Sequence, residues 1–439
     1  MTAVKLGLRN LARNRWRSGL TLGAVAVAVG LMVWSLAMYE GWIQAMVQGA
    51  TSVETAQVQV HTVGYVDRPR AYRGFDLEPG LLESIRAVPG VVAVSPRVEL
   101  QGLVGDERRS RVGRVLGVDA DLEREATPVA DALTEGRWLS GDPDPYPAPR
   151  EVVLGSGVAR QLEASPGDEL VTFLEAADGS LGNELLRVVG IVETGDTRVD
   201  RTTVYVHLAD AQSLGALDGK AHELAIRTDD LSGARETAGE VARALGARFG
   251  MPDDRSTDLS EAAGEAPDGR LVVRPWQEIL PSVSQMIVVF RRSYWVLYLL
   301  IYLLAAAGVF NTQRMSALER RREFGVMMAI GMRPRRMFRT LVVESGVLGI
   351  LGALLGAAGG AALAAYHQAR GLDLELFTDQ AAFSFMGVAF TERLYFVLTP
   401  EHVIQPVLVM LFVALLSGVW PAARSARLDP APTIAGRTQ

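Results

Sequence analysis

The sequence predicts an α-helical membrane protein with four transmembrane helices and a mixed α/β domain inserted between helices 1 and 2. Three observations predict it. Four uncharged runs reach membrane length, at residues 18–39, 293–313, 345–369 and 403–423. About 20 apolar residues, each rising 1.5 Å, cross a hydrocarbon core of about 30 Å. The basic residues collect in the short segments at one set of ends of these runs. The long segment between runs one and two is acidic and carries the patterns of strands and short helices.

The first run is preceded by a basic, leucine-bearing stretch, residues 1–17, with Lys5, Arg9, Arg13, Arg15 and Arg17 and no acid. Leu6, Leu8 and Leu11 interleave with arginines, and Trp16 marks an interface. The pattern predicts an interfacial cytoplasmic helix, or else a basic flank alone. The span itself is assigned to 18–40. Its apolar part is too long for a signal peptide and lacks a small-x-small site before Glu40 and Trp42, so an uncleaved anchor is expected.

Charge orients the spans. The loop 314–340 holds eight arginines, including Arg320, Arg321 and Arg322, against Glu319 and Glu323. With residues 1–17 and the tail 424–439 it makes 16 basic and 3 acidic residues, whereas 41–285 holds 24 basic and 40 acidic. The positive-inside rule puts both termini and the 314–340 loop in the cytoplasm and 41–285 on the far side. Arg291 and Arg292 oppose the rule, at an end where long side chains snorkel.

Within 41–285 the signals alternate. Residues 56–63 (AQVQVHTV) read as a strand, 81–87 before Pro89-Gly90 as a helix, and 91–98 and 112–118 as strands. Four prolines in 142–149 forbid a helix or central strand. Short strands follow at 152–154, 169–174, 186–192 and 203–206, then an amphipathic helix over 231–249. Residues 252–269 are acidic and rich in Pro, Gly and Ser, the composition of a loop. A helix beginning at 281–292 runs on into the second span, 286–313.

The loop 314–340 carries ERRREFGVMMAIGM at 319–332. Phe324, Met327, Met328 and Gly331 recur at helical spacing after three arginines, so a short amphipathic helix is expected. It reads as a docking element at the membrane surface, or as a basic connector serving orientation only. The third span, 341–369, has Gly352, Gly356 and Gly360, two overlapping GxxxG steps. They suit close helix packing, within the chain or between two copies. Glu344 near the start of this span is either functional or paired with a cytoplasmic arginine. The loop 370–402 holds Phe377, Phe383, Phe385, Phe390, Tyr395 and Phe396, which reads as lying on the outer leaflet. The fourth span is 403–423.

Several chemistries are excluded. Without cysteine there is no disulfide, thiolate metal site or cysteine nucleophile. The five histidines form no HExxH or HxxxH pair, so no metal is expected. No GxxxxGK[ST] cradles a phosphate, and 155–157 is no nucleophile elbow. Arginines that flank spans are explained by orientation, so no nucleic-acid partner is expected.

Together these features resemble the permeases of the MacB/FtsX/LolC-LolE superfamily of ABC transporters. The segment ERRREFGVMMAIGMRPRRMFRTLVVES at 319–345 resembles the family's "ER..EIG...A.GA....I......E". The tail WPAARSARLDP at 420–430 resembles "P.RRAARLDP", and LRNLARNRWRSGLT near the start resembles "R.L.R.R.R..LT". Residues 151–212 look like the MacB-type periplasmic core domain, which makes 41–285 a domain of that type.

The resemblance implies a multi-pass subunit of a bacterial inner membrane, with a periplasmic domain and a type VII ABC fold. Its middle-loop helix would seat in an ABC ATPase dimer, and Glu323, Gly325, Met328, Ala329 and Gly331 would face that ATPase. Catalysis and cofactors, ATP and Mg, would belong to the partner chain. A second permease copy or paralogue follows, since two ATPases need two docking helices. Motion would pass to the periplasmic domain by mechanotransmission. Three outputs are implied: lipoprotein release from the inner membrane, favoured by the separate ATPase and four spans; MacB-like export with an adaptor and outer-membrane channel; or FtsX-like control of a cell-wall hydrolase.

Overall fold

The computed structural model describes residues 15–143, 147–231, 233–250, 270–374, 384–385, 388–389 and 393–427. The expectations for the N-terminal interfacial helix, the 252–269 loop, Phe377, Phe383, Phe390 and the end of the tail fall outside the described residues. The chain divides into two compact units, one built on 44–286 and the other on the long helices before and after it.

The strands of the first unit are β1 (Val58–Thr62), β2 (Phe75–Asp76), β3 (Val91–Gly105), β4 (Ser110–Val118), β5 (Leu133–Gly136), β6 (Arg150–Gly155), β7 (Glu169–Glu175), β8 (Leu181–Val192), β9 (Thr203–His207), β10 (Lys220–Ala221), β11 (Glu223–Thr228), β12 (Arg248–Phe249) and β13 (Leu271–Pro275). Two bodies share β3. The antiparallel order β13-β1-β11-β3, with helix Leu81–Arg86 between β1 and β3 and helix Ala234–Leu245 between β11 and β13, is a split βαβ arrangement. The remainder of β3 enters a ring that runs through β4, β9, β6, β8 and β7 and returns to β3. A closed barrel of six strands is therefore inserted between the second and third strands of the split βαβ body.

Alternation explains the barrel. In β7, Leu170 and Leu174 point inward, while Glu169, Phe173 and Glu175 are exposed. Val98, Leu100, Val115, Leu154, Leu186 and Val204 share its core with them. Ring closure removes the unpaired edges that an open sheet of these strands would present. β3 extends seven residues past the sequence expectation because Val98, Leu100 and Val104 continue the inward alternation. The helix expected over 231–249 is shorter, Ala234–Leu245, and its last residues instead form β12, parallel to β13.

Among the described residues four helices are long and apolar enough to cross a membrane: Gly19–Thr55, Pro281–Glu319, Pro334–Arg370 and Pro400–Ala426. They bear out the expected fold class. The helix begun at 281 does run unbroken through the second apolar run. Helix Pro334–Arg370 is the hub. A Cβ on Gly352 would stand 2.7 Å from Val25 Cγ1, and one on Gly356 or Gly360 would collide with the backbone carbonyl of Ala26 or Gly30. The GxxxG steps thus seat the first helix against the third, backbone to backbone. On the same face, nearer its start, Gly349 meets Ala414 and Ser345 meets Gly418 of the fourth helix. The second helix joins through Thr21–Thr312 (2.8 Å) and through Ala305 and Val309, which pack with Val25 and Val29. Phe396 departs from the expected outer-leaflet placement. It is buried, with its ring 5.4 Å from Trp34 and 5.0 Å from His367. The aromatic run attracts its own helices as readily as lipid, and period alone does not distinguish the two.

Candidate functional site

Between the second and third long helices lies the helix Arg321–Ala329. Arg320 breaks the preceding helix (φ −94°, ψ 8°) and turns its guanidinium inward. Nη1 donates to both oxygens of Glu344, at 3.1 and 3.3 Å, and Nε donates to Glu323 at 3.3 Å. The guanidinium carbon stands 5.1 Å from the Phe324 ring centre. Glu344 is buried on the third long helix. One arginine therefore ties the short helix to the long helix that follows it, by charge-assisted hydrogen bonds strengthened through partial burial.

The helix has two faces. Phe324 is buried against Met337, Leu341 and Ala422, with Met327, Met328 and Phe338 partly buried around it. The other face presents Arg322, Val326, Ala329 and Ile330, and Ile330 is 81% exposed. Arg322, Glu323, Val326 and Met327 line a shallow open cleft. The exit is a Schellman turn. Met332 N–H donates to Met327 O and Gly331 N–H to Met328 O, both at 3.0 Å. Gly331 has φ 98°, which only glycine adopts without strain, and Met332 packs back on the same cluster as Met327.

The five residues assigned from the sequence are therefore placed differently from one another. Ala329 and Gly331 are exposed, Glu323 and Met328 are half-buried, and Gly325 is buried. Gly331 has a backbone reason to be glycine whatever it faces. Val326 and Ile330 escaped the sequence reading. They lie four apart, one helical turn, and that spacing was the available signal.

The sequence reading also missed a buried charge cluster in the α/β unit. Arg97, 2% exposed, reaches Glu123 at 2.6 Å and Glu223 at 2.8 Å. Ser95 and Thr127 complete the Glu123 carboxylate at 2.7 and 2.8 Å. A second cluster gathers Glu151, Arg137, Ser140 and His207. Ser140 Oγ (3.4 Å) and Glu151 Oε2 (3.5 Å) approach the same nitrogen of His207, so no proton relay runs through the ring. Among the described residues no group of His, Asp and Glu is placed to hold a metal ion.

Comparison with known proteins gives two family matches. The family described as MacB-like periplasmic core domain matches residues 18–244, and the FtsX-like permease C-terminal family matches 295–430. An uncharacterized ABC transporter permease of Methanocaldococcus jannaschii is 25% identical over 307 residues, 69% of this chain and 65% of that one. The lipoprotein-releasing system transmembrane protein LolC of Neisseria meningitidis is 24% identical over 364 residues, 80% of this chain and 79% of that one. The macrolide export ATP-binding/permease protein MacB of Wolinella succinogenes is 24% identical over 453 residues, which cover 99% of this chain but only 60% of that protein.

Proposed function

Since the chain belongs to the family of ABC transporter permeases that join a MacB-like periplasmic core domain to an FtsX-like C-terminal part, we propose that it is a non-catalytic transmembrane subunit driven by a separate ATPase. The observation that carries this reading is the helix Arg321–Ala329, tied to the third long helix by Arg320 while Val326 and Ile330 face outward. An apolar pair on an exposed face flanked by arginines suits an apolar groove with an acidic rim on a partner. In this proposal the partner ATPase holds ATP and Mg, and the 439 residues of this chain contain no GxxxxGK[ST] loop. On this reading the protein lies in a bacterial inner membrane with both termini and the docking helix in the cytoplasm. Two copies, or one copy and a paralogue, dock on two ATPases. ATP-driven closure of the ATPases displaces the docking helices, and the rigid long helices carry the displacement to the periplasmic domain.

Lipoprotein release is the preferred output, because the LolC relative matches across four fifths of both chains. The match to MacB over 99% of this chain favours export as the second reading. Purification of the tagged subunit from its native membrane tests the proposal. An ABC ATPase should co-purify, and Ile330→Asp with Val326→Asp should remove it while the protein stays folded. Retention of the ATPase by the double variant would overturn the docking assignment. A co-purified lipoprotein carrier supports release, and a co-purified adaptor supports export.

A further inference from the structure

We propose that Glu54 is the joint through which displacement of the first long helix enters the α/β domain. The inference rests on the mechanotransmission reading above and names the residue that would carry it. The helix Arg15–Ala50 does not end in an ordinary cap. It passes into one π turn, Thr51–Thr55, and then into Ala56 at φ 52°, ψ −167°, a buried alanine in a region that favours glycine. Two irregularities in succession, directly before β1, need strong local restraint to persist.

The restraint is a set of arginines converging on Glu54. Arg97 of β3 donates to its carbonyl oxygen. Arg114 of β4 donates to its carboxylate at 3.0 Å, and Arg198 of helix Thr197–Thr202 to the other carboxylate oxygen. Arg97 is itself held by Glu123 and Glu223, and Arg114 also approaches Glu99 at 4.0 Å and Thr203 at 3.3 Å. The next residues are fastened as well. Gln57 accepts from Trp276 N–H at 2.9 Å, and its side chain accepts from Thr228 N–H at 3.0 Å. Val53 packs beside the cluster of Trp138, Val199 and Tyr205.

The partners of Glu54 thus come from the barrel strand β4, from the helix before β9 and from the shared strand β3. A pull or twist of the helix end reaches the split βαβ body and the barrel through the same carboxylate and carbonyl. Apolar packing alone would let the end slide, whereas a carboxylate held by the largely buried Arg114 guanidinium, with Arg198 on its other oxygen, has a preferred position.

The test uses the absence of cysteine. Spin labels at Leu181→Cys, on the barrel surface, and Ile404→Cys, on the fourth long helix, report their separation in the reconstituted complex with the co-purified ATPase. Distances are compared without nucleotide and with ATP trapped. The parent should show an ATP-dependent shift. Glu54→Ala should lose the shift while ATPase binding and basal hydrolysis stay at the parent level. Glu54→Gln, which keeps an acceptor oxygen, and Arg198→Ala, which removes one exposed arm, should each retain part of it. Near-UV circular dichroism reports whether Glu54→Ala has folded, and if it has not, the two milder variants decide. An undiminished shift in the folded variants overturns the assignment of Glu54 alone. No shift in the parent overturns the mechanotransmission reading and this inference with it.

Discussion

Arg320 Nη1 lies 3.1 Å from Glu344 Oε2, across the gap between the short helix and the third long helix. Glu344 is 7% exposed at its side chain and Arg320 21%, so the pair is only partly screened. Arg320→Ala should destabilise the protein by roughly 1–3 kcal/mol, since a guanidinium is withdrawn from a buried carboxylate. Glu344→Gln should cost less. Hydrogen exchange read by mass spectrometry should show faster exchange at 321–329 in Arg320→Ala and unchanged exchange in the α/β domain. Equal protection in the variant would remove the tie from the account.

The contact of the first and third long helices predicts a contrast between neighbouring glycines. Gly356 has no room for a side chain against Ala26, whereas nothing lies within 4 Å of a Cβ at Gly359. Gly356→Leu should lower the melting temperature in detergent, at a cost of about 1–3 kcal/mol or more for overpacking. Gly359→Ala should be neutral or slightly stabilising, because alanine favours a helix by about 1 kcal/mol over glycine. If both substitutions acted alike, the glycines would not be packing against the first helix.

Much of this was legible in the sequence, and the limits have physical causes. Span existence follows from apolar length, and the middle helix from its spacing. The face of that helix did not follow. Phe324 and Met328 mark its apolar stripe, but the third and fourth long helices occupy that stripe, and only the fold reveals it. The split βαβ body was hidden because the barrel separates β3 from β11 by more than a hundred residues. The Arg97–Glu123 pair was not legible, since nothing in a strand's own pattern announces a partner on a helix 26 residues later. Gly331, followed by Pro334, was a legible helix stop that was read as a contact instead.

The buried cluster predicts a large effect from one substitution. Arg97→Met leaves Glu123 without its guanidinium in a site with no exposure, and should cost roughly 3–5 kcal/mol in urea unfolding of the α/β domain. Adding Glu123→Leu should recover part of that loss, because a buried pair replaced by apolar groups is far less costly than a pair half removed. A double variant no more stable than the single one would contradict the pairing.

Two carboxyls give opposite pH dependences. Burial pushes Glu223 up to about 7, against the pull of Arg97. A folded pKa above the ordinary 4.5 means more protons bound when folded, so its contribution is present below about 4.5 and is lost as pH rises to about 7. Burial acts to raise Glu151 too, but hydrogen bonds from Arg137 and Ser140 outweigh it and hold the group at about 2. Its contribution is present above 4.5 and is lost as pH falls towards 2. Glu223→Gln should flatten the fall in stability between about 4.5 and 7 and leave the acid limb intact, as read by urea midpoints across pH. A fall between those values that persists in Glu223→Gln would show that another group titrates there.

The central claim is that ATP-derived work enters at the exposed face of the helix Arg321–Ala329. A photocrosslinking residue placed at position 330, in the native membrane, tests it most directly. The account predicts an adduct with an ABC ATPase at position 330 and none when the same residue replaces Leu181 on the barrel. An ATPase adduct at 181 with none at 330 would contradict the account.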